Sequence, residues 1–144
     1  MQDDVMKDAF RQLKCLVVDD HMMMRNLVTQ HLRGIGCTSI STAVNGQDAL
    51  DTLRKGKLVG DHYDVIFVDW GMPVMNGLDF MKACRPEFPH TAFVMLTGEN
   101  ERKKVLQAFE QGVTAYIIKP VARDTLKKIL CNVMEWLEKQ KLSA

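Results

Sequence analysis

Four apolar runs of this 144-residue chain end in side chains that can do chemistry. CLVVDD places Asp19 and Asp20 after one run and VIFVD places Asp69 after another. FVMLT places Thr97, and YIIKP places Lys119. A charge at the mouth of a buried run costs free energy unless something compensates it. Three carboxylates brought within a few ångströms repel one another and favour a hard divalent cation. Mg²⁺ suits such a pocket, because it takes oxygen ligands, keeps some of its waters and completes its shell with phosphate oxygens. One of the carboxylates can then act as a nucleophile and form an aspartyl phosphate. The lysine can neutralise a further anionic oxygen, and the threonine can donate a hydrogen bond to another. An aspartate after a strand is by itself most often a turn residue or a helix cap. The joint occurrence at four run ends is what points to a site.

The elements that must position these residues alternate along the chain. KCLVV (14–18), TSISTA (38–43), DVIFV (64–68), TAFVML (91–96) and AYIIK (115–119) are too short for core helices and several are rich in β-branched residues, which predicts strands. Between them lie helical patterns. Met24, Leu27, Val28, His31, Leu32 and Ile35 fall on one face, ended by Gly34 and Gly36. Asn45 is a plausible N-cap with Asp48 three residues on. Gly77 to Arg85 predicts a short helix before Pro86, and residues 99–111 another, closed by Gly112. Thr125 to about Lys139 carries Leu126, Ile129, Leu130, Val133 and Leu137 on one face. Five strands alternating with five helices predict right-handed βαβ units and a parallel sheet covered on both faces. In such sheets ligands bind outside the carboxyl ends of the strands, where the four run ends meet. Residues 1–12 stand outside the pattern, as a tail or an extra helical turn.

Composition narrows the function classes. A net charge of +1 gives no strong field for nucleic acid or membrane surfaces. No run approaches the ~20 apolar residues of a membrane helix, and the acidic start MQDDVMKDAFR is unlike a signal peptide. Cys15, Cys37, Cys84 and Cys131 are scattered without a C-x-x-C pair, as expected of reduced, mostly buried thiols in a cytoplasmic protein. The four histidines show no metal-binding spacing, and there is no H-E-x-x-H, G-x-S-x-G, Walker loop or G-x-G-x-x-G. Met22, Met23 and Met24 are expected mainly as core or rim packing. Trp70 is expected partly buried beside Asp69, and Trp136 at the edge of the last apolar face.

The set DD…D…T…KP, with Tyr116 three residues before Lys119, resembles the receiver domain of bacterial two-component response regulators, most of all the single-domain chemotaxis type. DWGMPVMNGLDF, LTGE and YIIKP carry the resemblance, which takes residues 13–142 as the receiver domain. It implies a doubly wound, flavodoxin-like α/β sheet of order 2-1-3-4-5 with five helices. It implies that Asp69 accepts a phosphoryl group from phosphohistidine of a sensor kinase or histidine phosphotransfer protein. Asp20, Asp69 and the backbone carbonyl of Gly71 would hold Mg²⁺, and Asp19 would act mainly through a metal-bound water. Lys119 would pair with Asp69 and then with the phosphoryl group. Thr97 would bond a phosphoryl oxygen, Tyr116 would report that event, and Gly98 would leave access to the phosphate. The Lys119–Pro120 bond would be cis. An output protein would dock on the fourth helix, fifth strand and fifth helix of the pattern. There Arg102, Lys103, Lys104, Lys127 and Lys128 form a basic rim suited to an acidic partner.

The chain departs from the family in having Asn76 where Asp is common. Gly71 and Glu99 occupy variable positions associated with the rate of hydrolysis. The implied protein is a phosphorylation switch without turnover of an external substrate. No DNA-binding domain is expected after residue 142. A rival reading is a Mg²⁺-dependent phosphatase with an aspartyl nucleophile. That chemistry wants a general acid two residues after the nucleophile, where this chain has Gly71. A degenerate receiver acting as a docking module is opposed by the complete acid set.

Overall fold

Each of the five apolar runs forms a strand in the computed structural model, which describes residues 2–98 and 102–143. The strands are β1 (Lys14–Val18), β2 (Ser39–Ala43), β3 (Val65–Asp69), β4 (Ala92–Thr97) and β5 (Ala115–Ile118). The helices are α1 (Gln2–Arg11), α2 (Met22–Ile35), α3 (Gly46–Leu58), α4 (Gly77–Cys84), α5 (Arg102–Glu110) and α6 (Arg123–Ser143). All strand pairs are parallel and the order is β2-β1-β3-β4-β5. β3 and β4 extend one residue past the expected ends, because Asp69 pairs with Leu96 and Thr97 with Ile118.

The helix count corrects the expected five: α1 spans ten residues rather than a tail or a single turn. Its Phe10 is fully buried and its Met6 packs on the same core, beside α2 and α6 residues. This packing depends on residues of α2 and of the distant α6, outside the helix's own stretch of chain, so no local periodicity announces it. The fourth and fifth helices of the sequence pattern are therefore α5 and α6 here.

Strand alternation divides the core. Cys15, Val17, Val65, Phe67, Val94 and Leu96 face the α1–α2–α6 side, where Val28, Leu32, Leu126, Leu130 and Val133 meet them. Leu16, Val18, Ile66, Val68, Phe93 and Met95 face α3 and α4, meeting Ala49, Leu53, Phe80 and Met81. Two helical assignments shift. Leu27 is about a third exposed rather than buried with its face, and Met22 and Met23 point to solvent while only Met24 packs on the core. Trp136 packs at the core edge as expected. Trp70 is more buried than expected, at 4% exposure. All four cysteines are free thiols, three of them buried.

Caps set the helix ends. Asp48 and Asp79 donate their N–H groups to the Asn45 and Asn76 side chains at 2.8 and 2.9 Å. Asn76 thus begins α4, just after the loop that follows the central strand. Gly36 ends α2 with φ 130°, a conformation that favours glycine. Arg85, at the end of α4, donates to the carbonyls of Thr91 (2.8 Å) and Gly112 (2.6 Å) and lies 4.6 Å over the Phe93 ring. One guanidinium thereby ties the start of β4 to the turn after α5.

Gly77 is needed for a close approach. A Cβ there would lie 2.7 Å from the Asp69 carbonyl oxygen, 2.9 Å from Met95 Sδ and 3.0 Å from Trp70 Cα. Two of these atoms are backbone and cannot yield cheaply. Gly77→Ala is predicted to cost about 1–3 kcal/mol and to lower the melting temperature by several degrees. An unchanged midpoint in thermal or urea unfolding would refute this close packing.

Candidate functional site

The strand ends converge because the hydrogen-bond ladders run past the strands. Asp19 N–H donates to the Ala43 carbonyl (3.2 Å), Trp70 N–H to Leu96 (2.9 Å) and Lys119 N–H to Thr97 (2.8 Å). Three of the chemical positions are thus fixed, directly or through a neighbour, by backbone pairing rather than by mobile loop. Arg25 of α2 adds a side-chain bond to the Asp19 carbonyl at 2.8 Å.

Lys119 Nζ bonds Asp69 Oδ1 at 2.6 Å, joining the ends of β3 and β5 across β4. The Gly71 N–H lies 3.4 Å from the same oxygen. Asp69 is buried, with the lysine half-exposed. Both neighbours engage Oδ1, so Oδ2 is the oxygen left for other chemistry.

Asp19, Asp20, His21 and Asp69 each offer one ligand atom, and these atoms all lie within 4.8 Å of one another. Asp19 is fully buried, and its Oδ2 has no hydrogen-bond partner. Its Oδ1 accepts the His21 N–H at 2.9 Å. A buried carboxylate oxygen left unpaired is costly, and a bound cation would compensate it. The residues therefore fit a hard divalent ion such as the Mg²⁺ on which receiver domains generally depend.

Burial pushes the Asp19 carboxyl above its ordinary range; the His21 N–H opposes this and the nearby Asp69 charge adds to it. A raised carboxyl holds its proton more readily folded than unfolded. Its contribution favours the fold at acid pH and is lost as pH rises through the carboxylate range. Asp19→Asn is predicted to stabilise the metal-free protein at neutral pH by about 1 kcal/mol, since it removes a buried charge one of whose oxygens has no hydrogen-bond partner. It should also flatten this loss and weaken Mg²⁺ binding. Urea unfolding at acid and neutral pH, with and without Mg²⁺, measures all three; lower metal-free stability at neutral pH would contradict the assignment.

Thr97 is buried at the end of β4. Gly98 is exposed, and a Cβ there would meet nothing within 4 Å; the same holds for Gly71. The Lys119–Pro120 bond is cis. Tyr116 lies on the outer face of β5, 38% exposed, with its ring edge-on to Phe109 of α5 at 5.6 Å. Lys103 of α5 and Lys128 of α6 are exposed, and Lys127 of α6 is half-buried. Glu99 lies outside the described residues, as do the side chains of Arg102 and Lys104. Sequence reasoning missed His21, whose Nδ1 lies 3.1 Å from Asp20 Oδ1 and 3.4 Å from Asp19 Oδ1. The available signal was its position directly after the acid pair. Val74, in the loop after β3, has φ 67° and is fully exposed, an uncommon conformation for a β-branched residue.

A parallel doubly wound sheet with an acid pocket and a Lys–Asp pair at its carboxyl edge defines a receiver-type domain. The family model for the response regulator receiver domain matches residues 15–131, and the chain belongs to that family. It is 36% identical over 129 residues to chemotaxis protein CheY-3 of Vibrio cholerae, covering 88% of this chain and 95% of that protein. It is 33% identical over 125 residues to chemotaxis protein CheY of Pseudomonas aeruginosa, covering 85% and 97%. The crystal structure of Vibrio cholerae CheY4 at low pH superposes with a TM-score of 0.75 at 35% identity, covering 84% of this chain and 98% of that one. A receiver domain protein from Clostridium thermocellum gives 0.77 at 25% identity, covering 92% and 99%. The chain is thus a two-component receiver with chemotaxis homologues, a family of signalling switches that work between a kinase and a downstream target. Among the described residues, no helix is long and apolar enough to cross a membrane.

Proposed function

We propose that the chain is a phosphorylation switch that takes a phosphoryl group onto Asp69 from phosphohistidine of a sensor kinase or histidine phosphotransfer protein. The observation that carries this reading is the Asp69 carboxylate, with Oδ1 held by Lys119 at 2.6 Å beside the acid cluster. Asp69 Oδ2 attacks phosphorus as the P–N bond breaks, and the imidazole leaves with the electron pair and takes up a proton. Lys119 then shifts its bond to a phosphoryl oxygen, and the Thr97 hydroxyl donates to another. Asp19, Asp20, Asp69 and the Gly71 carbonyl would hold Mg²⁺, which when bound supplies positive charge opposite the transferring oxygens. Hydrolysis returns the Asp69 carboxylate and inorganic phosphate, with no side chain at Gly71 to obstruct or assist the water.

The output surface is α5, β5 and α6. Leu106, Phe109, Tyr116 and Ile118 expose apolar area there, and Lys103, Lys127 and Lys128 supply positive charge. A protein with an acidic, partly apolar docking segment fits this surface, and the chemotaxis relatives favour a chemotaxis pathway in the cytoplasm. Direct nucleic-acid binding has no support in the charge balance. The test is intact-mass analysis after incubation with Mg²⁺ and a small acyl phosphate, which should add one phosphoryl group. No gain in mass, from that donor or from a phosphorylated histidine phosphotransfer protein, would sink the reading.

A further inference from the structure

We propose that His21 is a nitrogen ligand of the acid pocket, so that the site holds borderline transition-metal ions such as Co²⁺, Ni²⁺ or Zn²⁺ more tightly than its oxygens alone would. This rests on the reading of that pocket as a cation site. His21 occupies the N-cap position of α2, yet its side chain makes no capping bond. Its Nδ1 turns instead to the carboxylates, 3.1 Å from Asp20 Oδ1 and 3.4 Å from Asp19 Oδ1. Adjacent ligand atoms on one ion at ~2.0–2.2 Å lie ~2.8–3.1 Å apart in octahedral and ~3.3–3.6 Å apart in tetrahedral geometry. The two separations fall within these ranges. The second observation is independent of the histidine: Asp19 Oδ2 is buried, unpaired and within the same cluster. The ring is 70% exposed, so an ion can reach it from solvent.

Donor chemistry sets the ion class. An all-oxygen pocket suits Mg²⁺, Ca²⁺ and Mn²⁺, whereas one imidazole nitrogen shifts preference towards Co²⁺, Ni²⁺ and Zn²⁺. Asp19, Asp20 and Asp69 with His21 make an O₃N set. Mg²⁺ can bind through the oxygens alone; a borderline ion gains the nitrogen as well. Transition ions would therefore compete with Mg²⁺ for the pocket that serves the phosphoacceptor.

The test is calorimetric titration of the full chain with Mg²⁺ and with Co²⁺, alongside the visible spectrum of the Co²⁺ form. Only Co²⁺ displaced by excess Mg²⁺ is counted, which excludes the other histidines and the cysteines. His21→Phe and His21→Gln, at an exposed position without a capping bond, should lower Co²⁺ affinity on the order of tenfold or more. They should alter the Co²⁺ spectrum and leave Mg²⁺ affinity within about twofold. Unchanged Co²⁺ affinity would overturn the inference. So would a parallel rise for both ions, because His21 would then be a cation competing with the metal. Asp19→Asn separates the two readings, since it should weaken both ions. If neither ion binds the wild-type chain, the cation pocket itself fails and the inference falls with it.

Discussion

Asp69→Asn is expected to abolish acyl-phosphate labelling while leaving the chain folded. The asparagine keeps an oxygen that can accept from Lys119, so the 2.6 Å link between β3 and β5 has a neutral replacement. It lacks the carboxylate charge that makes the oxygen a nucleophile. Burial raises the Asp19 carboxyl and the Asp69 charge adds to that rise; the change removes the added part, which offsets some of the weakened bond to Lys119. Stability should therefore move little while phosphoryl uptake disappears. Intact mass and far-UV circular dichroism measure the two outcomes together. An Asn variant labelled as fully as wild type would show that another residue is the acceptor. An unfolded variant would show that Asp69 is first a structural charge.

Thr97→Ala is expected to separate phosphorylation from output. The phosphoryl group adds about −1.5 to −2 charges and three acceptor oxygens at Asp69. Thr97 is buried at the neighbouring strand end, and its carbonyl accepts the Lys119 N–H at 2.8 Å. Its movement towards the phosphate would leave a space beneath α5 that the Tyr116 ring can fill. The outward ring makes an edge-on contact with Phe109, for which ~0.5–1.5 kcal/mol is typical and which inward movement would give up. A hydrogen bond from Thr97 to a charged oxygen contributes about 1.5–3 kcal/mol, so the inward state would be expected to win once phosphate is bound. Coupling of ~1–3 kcal/mol changes partner affinity some 5- to 150-fold. Thr97→Ala should still accept phosphate yet lose most of that change, and Thr97→Ser should keep it. The Tyr116 ring environment by NMR, with and without beryllofluoride, reads the switch directly. Phe109→Ala should shift Tyr116 inward before any phosphate is added. If Thr97→Ala switches as fully as wild type, the signal leaves by another route.

Much of this arrangement is local and therefore legible in the chain itself. Short continuous apolar runs, Asn45 and Asn76 as caps and Gly36 as a stop depend on neighbours a few residues away. So does the placing of Asp19, Asp20, Asp69, Thr97 and Lys119 directly after those runs. A parallel sheet then brings such run ends to one edge by geometry alone. The strand order needed the family resemblance, because periodicity does not say which strands are neighbours.

Other features exist only through contacts between distant residues. α1 earns its place by burying Phe10 on the α2–α6 side of the sheet. Arg85 looks like a surface charge before Pro86, yet folding supplies carbonyls at Thr91 and Gly112 and the Phe93 ring. Leu27 repeats with the buried face of α2 but turns outward, because the packed stripe is narrower than the apolar one. His21 shows no metal spacing in the chain, since its partners include Asp69, which only the pairing of β1 with β3 brings near. Tyr116 alternates with the buried Ile117, and only the fold shows that its ring lies against Phe109 of α5, a residue seven positions earlier on another element.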